Sequence, residues 1–206
     1  VERAGIVPEA GLLDVELGGA IGVNGVQALI RTLCMGGWAL TACSPALNWR
    51  EVRPVDSGGL VAWFPCKPQA AERRMSWPGL PVASVHVLSC RADGLIWSLT
   101  YARMPNADAM LRAQAGWSEA WRSRPGYLSQ AIAPLAGGGL TVPAGGLAWA
   151  LSASAPEVAP RSGRAWHFSH GLTVFQASVW GDRLQESLTK GEDVTATFTN
   201  GLHFPS

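Results

Sequence analysis

Long apolar runs are missing from this 206-residue chain: none reaches the ~18 to 20 residues that a membrane-spanning helix requires. Charge is scarce too. Only 15% of residues are charged and the formal net charge is +1, which leaves no electrostatic footprint for a nucleic-acid partner. Motifs of common chemistries are also lacking. There is no G-x-S-x-G of a serine hydrolase, and Gly137-Gly138-Gly139 lacks the Lys and Ser/Thr of a phosphate loop. None of the four cysteines has a second at C-x-x-C spacing, so a zinc site is not indicated.

The histidines are His86, His167, His170 and His203. His167 and His170 form an H-x-x-H, but odd spacing puts them on opposite faces of a strand, and we read them as exposed strand-end residues. Asp108 and Glu119 lie 11 positions apart on a helical pattern. A helix-start charge and a solvated carboxylate explain them better than a catalytic pair. No catalytic, cofactor-binding or metal-ligating residue is assigned. Tryptophan, by contrast, is abundant, with ten in the chain. They read as bulky core and sheet-face packing, with an aromatic ligand surface as the alternative.

Residues 27–43 read QALIRTLCMGGWALTAC. One cation (Arg31), an apolar stretch over 33–42 and small residues before a cysteine follow the order of a secretory signal. The ending Leu40-Thr41-Ala42-Cys43 resembles the lipobox of bacterial lipoproteins. That resemblance implies diacylglycerol on the Cys43 thiol, cleavage before it and acylation of the new amino terminus. Ser44, where aspartate would imply retention at the inner membrane, implies an outer-membrane anchor facing the periplasm. The upstream stretch carries Glu2, Glu9, Asp14 and Glu16, unlike a signal n-region. We therefore expect translation to start at Val26. Residues 1–25 are then a misassigned or dispensable extension, 26–42 the signal peptide and 43–206 a single domain. The alternative is a buried helix over 25–40 with an accidental L-T-A-C.

Removing Cys34 with the signal and Cys43 by lipidation leaves Cys66 and Cys90. An even pair in an oxidising compartment reads as a disulfide, with two buried free thiols as the alternative. A loop of that size would stabilise by roughly 3 to 4 kcal/mol in the chain-entropy model.

Strand patterns cover 49–54, 60–64, 71–77, 82–91, 95–103, 147–154, 164–170 and 172–180. Asp93-Gly94 between two alternating runs is the strongest hairpin signal. Arg73-Arg74 reads as a solvated strand edge. Asn106 starts the clearest helix, whose Met110, Trp117 and Trp121 share one face while Arg112 and Glu119 face water. A closing helix is expected over 192–200 with Gly201 as its C-cap. The order argues for an α+β fold with a largely antiparallel sheet flanked by helices.

The Gly58-Gly59 turn, the Phe64-Pro65-x-Lys67-Pro68 segment, the Asp93-Gly94 hairpin, the mid-chain helix and a final strand followed by a helix with Phe198 carry a further resemblance. The layout resembles the PsbP-like sandwich, whose members serve mainly as accessory or binding modules. It implies a non-catalytic binding or assembly module, held at the membrane by its lipid and with an envelope protein as partner. Two other readings stay open. One is a hydrolase-like enzyme with a site built from distant residues. The other is a soluble domain with an accidental lipobox.

Overall fold

The computed structural model describes residues 47–77, 79–143, 147–189 and 193–205. Cys34, Cys43 and the whole signal segment lie outside them. The described residues belong to one compact unit, Cys43–Ser206.

β1 (Arg50–Val52) and β2 (Ala62–Phe64) pair as a short separate ribbon. The main sheet has seven strands: β3 (Gln69–Met75), β4 (Ala83–Ala92), β5 (Leu95–Arg103), β6 (Tyr127–Ala131), β7 (Ala148–Ala153), β8 (Ser162–His170) and β9 (Thr173–Trp180). Their spatial order is β3-β4-β5-β9-β8-β7-β6, and every neighbouring pair is antiparallel. The sheet is thus two meanders joined through α1 (Ala107–Arg122), which closes when β9 returns beside β5. The fold is α+β, as the order of elements predicts.

Local chemistry explains the joints. Asp93 and Gly94 both take positive φ (53° and 72°), the type I′ geometry whose twist suits a two-residue hairpin. Asn106 caps α1 by accepting the Ala109 N–H at 2.9 Å. Asp108–Arg112 and Glu119–Arg122 are ion pairs on its exposed face.

The alternation of β5 sends Leu95, Trp97, Leu99 and Tyr101 to one face, all buried. There they meet Ala62 and Phe64 of the ribbon and Phe198 of α3 (Ala196–Asn200). The Phe198 ring lies 5.4 Å edge-on to both Phe64 and Trp97. The opposite face receives α1. Trp117 packs beside Val85, Ala102 and Val174, and Trp121 beside Leu151 and Ala165. Cys66 and Cys90 form a disulfide, with Cα atoms 6.0 Å apart, inside the ~7 Å limit for a bridge.

Several boundaries differ from the sequence reading. The third strand runs Gln69–Met75, so Trp77 lies past its end and packs edge-on at 5.5 Å against Trp117. The strand β6 has no alternation to betray it: it is a sheet edge whose Leu128, Ser129, Gln130 and Ala131 are all exposed. A helix α2 (Arg183–Thr189) follows Gly181 and was not expected. The closing helix starts at Ala196, and Glu192 lies outside the described residues. Gly201 sits at its C-cap with φ −80°, so left-handed backbone is not its role. A Cβ there would come within 2.6 Å of Trp63 Cβ, so the glycine permits a close approach.

Trp117 is only 6% exposed and Arg112 is exposed. Trp117→Ala should therefore cost about 3 to 5 kcal/mol in denaturant melts, while Arg112→Ala should stay within about 0.5 kcal/mol. A Trp117→Ala loss below about 1 kcal/mol would contradict the packing described here.

Candidate functional site: a two-lobed cleft at His86

The β1–β2 ribbon leaves part of the sheet's β3–β4 side open. The link between ribbon strands is braced internally and tied to the sheet by one hydroxyl. Ser57 Oγ donates to the Pro54 carbonyl at 2.8 Å, and the Tyr101 hydroxyl donates to the Val55 carbonyl at 2.6 Å. Asp56, Gly58 and Gly59 all take positive φ, which turns the loop back over the strands.

Beneath this loop, Glu72 on β3, His86 on β4 and Tyr101 on β5 stand opposite one another in register. The His86 ring stacks on Tyr101 with centroids 5.0 Å apart and planes 15° apart. His86 borders two openings. A smaller one of about 330 Å³ is largely apolar, with Val52, Pro54, Val55 and Leu88 in its wall. A larger one of about 820 Å³ is bordered by Asp56, Ser84 and Arg103 beside Val82, Met104 and Pro105. Ser84 donates to the Glu72 carboxylate. Val55 and Val82 are exposed apolar side chains, 75% and 53% accessible, at this cleft.

Burial, with Asp56 nearby, pushes the Tyr101 phenol up to about 12. It stays protonated at neutral pH and keeps its bond to Val55. The cleft therefore offers a ring face, two cations (Arg103, and Arg53 paired with Glu51), two carboxylates and a largely apolar lobe. That is recognition chemistry for an amphipathic ligand. Ser84 gives its proton to Glu72 rather than to His86, so the two do not form a nucleophile–base pair.

The other sequence candidates are dispersed. Asp108 and Glu119 are engaged in their helix ion pairs. His170 is half-buried, stacks on Phe204 at 3.8 Å and faces the Gly139 carbonyl at 3.0 Å. His167 corrects the expectation of an exposed strand-end residue: it is 2% exposed beneath the α1 side of the sheet. Its Nδ1 lies 3.1 Å from the Leu147 carbonyl and its Nε2 3.1 Å from Gln176 Oε1. Among the described residues no group of three or more His, Cys, Asp or Glu could hold a metal ion. Of the tryptophans, Trp77, Trp97, Trp117, Trp121 and Trp166 are buried, which favours the core reading. The His86 cleft itself was missed in the sequence. Its one signal was His86 on the same strand face as Leu88.

The chain matches no protein-family model, no curated protein and no solved structure.

His167 generates a pH prediction. Burial favours its neutral ring and outweighs the two hydrogen bonds, so its pKa is held below the ordinary histidine value. The neutral ring is satisfied if Nδ1–H donates to Leu147 and the Gln176 amide turns its NH₂ to Nε2. In the unfolded chain the imidazole titrates near the ordinary ~6.5. The stability from a neutral His167 is therefore present above about pH 6.5 and lost as pH falls toward the folded-state value. Urea melts of the native protein should show this decline between pH 7.5 and 5, and His167→Gln should flatten it. An unchanged slope in the variant would contradict the assignment.

Proposed function

We propose that the chain is an envelope lipoprotein, anchored by lipid on Cys43 to the outer membrane and facing the periplasm. Its domain is a non-catalytic binding or assembly module that works through the His86 cleft. The observation that carries the reading is the accounting of the cysteines. Cys66 and Cys90 are bonded to each other, as suits an oxidising compartment, and Cys43 closes the lipobox-like Leu40-Thr41-Ala42-Cys43. The antiparallel α+β layout is in keeping with the PsbP-like binding modules that the sequence resembles. No described helix is long and apolar enough to cross a membrane, so attachment by lipid is the route we propose.

The binding role draws on the open, mixed-polarity cleft and on Ser84 being hydrogen-bonded to Glu72 rather than to His86. The partner we propose is an envelope protein that presents an apolar side chain next to charge.

Mass spectrometry of protein from its native envelope should find an amino terminus at Cys43 bearing diacylglycerol and an acyl chain. An unmodified peptide spanning Ala39 to Arg50 as the main species would sink the anchor. For the cleft, a photo-cross-linking residue at Val82 should give discrete products in intact envelopes. The same residue at Leu111, equally exposed (55%) on the far side of α1, should not. Equal products from both sites, or none from Val82, would reject the cleft as the binding surface.

A further inference from the structure

We propose that the end of the domain bearing Lys67 and Arg91 lies against the bilayer and that both cations contact anionic phospholipid headgroups. The inference rests on the Cys43 anchor proposed above. Its first support is reach. The Asn48 N–H donates to the Pro65 carbonyl at 2.7 Å, which pins the start of the domain beside Cys66 and Lys67. Five residue steps from Cys43 to Asn48 span at most about 17 Å even fully extended. A domain of ~160 residues is roughly 40 Å across by size scaling. A tether shorter than half that width brings only this end of the domain to the headgroups.

The second support is charge. Each bonded cysteine is followed by a cation, Lys67 after Cys66 and Arg91 after Cys90, so the disulfide fixes two positive side chains at one site. They border a shallow hollow of about 450 Å³ with Gln69, Ser89 and Ile96, and no carboxylate lines it. Both are exposed, and among the described residues neither forms an ion pair. Two like charges on one hollow with no carboxylate in its lining suit a dense array of phosphates, whose attraction falls off within a Debye length.

The test uses the lipidated protein added to preformed vesicles. Its acylated amino terminus leaves Lys67 and Lys190 as the amines of residues 43–206. A membrane-impermeant acetylating reagent, read by mass spectrometry, then reports Lys67, with an added free peptide amine normalising the dose. Lys67 should react at least three-fold more slowly on vesicles with 30% phosphatidylglycerol than on pure phosphatidylcholine. Added salt at 0.5 M should restore the rate, and Arg91→Glu should remove most of the protection. Inorganic phosphate with phosphatidylcholine vesicles should leave Lys67 reactive; protection by phosphate alone would overturn the bilayer as the occupant. Flotation separates the two ideas. A chain that floats with vesicles but whose Lys67 reacts equally on both compositions overturns the orientation alone. A chain that does not float overturns the anchor and this orientation with it.

Discussion

A single row of rings, one per strand, crosses the middle of the sheet and sets what can pack on it. His86, Tyr101, Phe175 and Phe168 stand directly opposite one another on β4, β5, β9 and β8. Their successive centroids are 5.0, 5.8 and 5.0 Å apart. Cross-strand neighbours on one face are the natural unit of sheet stabilisation, and aromatic pairs are among the stronger ones. The row also fixes register, because a one-residue slip of any strand would turn its ring to the other face. Toward β8 the row is covered, with Phe204 edge-on to Phe175 at 5.7 Å. Toward β4 it ends on a half-buried histidine bordered by the cleft, so the last ring of a structural row is the first ring a ligand would meet.

The two faces of the sheet solve different problems. The ribbon side is mainly apolar and aromatic, with its polar contacts at the margins: Tyr101 to the Val55 carbonyl and Arg164 to Asp193. The α1 side mixes apolar clusters with polar groups: His167, Ser178 and Gln114 are all buried there, and Trp149 Nε1 donates to Ser118 Oγ at 2.7 Å. Buried polar groups tolerate few alternative arrangements, because each misplacement leaves a donor or acceptor without its partner. Gln114 Nε2 already lacks one among the described residues. One hydrogen bond, Trp149 to Ser118, thus joins α1 to the sheet beside the packing of Trp117 and Trp121.

What could be read from the sequence follows from where period and burial coincide. The hairpin at Asp93-Gly94, the face of β5 and the stripe of α1 were legible because one side is buried and the other solvated. The same logic hid β6, an edge strand exposed along most of its length, and α2, whose seven residues are too few to establish a period. Chemistry-bearing residues were legible only as types. His167 carries no local mark of burial, since its partners Leu147 and Gln176 come from the approach to β7 and from β9. The disulfide was reachable because counting cysteines needs no geometry. The cleft was not, because it is made by elements that fail to meet.

That failure has a simple cause. Each ribbon strand is three residues long, about 10 Å, while the sheet it lies on is seven strands wide, or roughly 28 Å at the usual strand spacing. Together with α3 the ribbon covers Trp97, Phe175 and Phe168, but it cannot also reach the β3 edge. All seven residues of β3 are consequently exposed, and two of them, Arg73 and Arg74, place charge on a free edge that would otherwise recruit another strand. Between that charged edge and the ribbon the loop over 53–59 arches without filling the gap, which leaves an apolar lobe, a polar lobe and a ring between them. The open site lies where the ribbon, the loop over 53–59 and the β3 edge fail to meet, with His86 bordering both lobes.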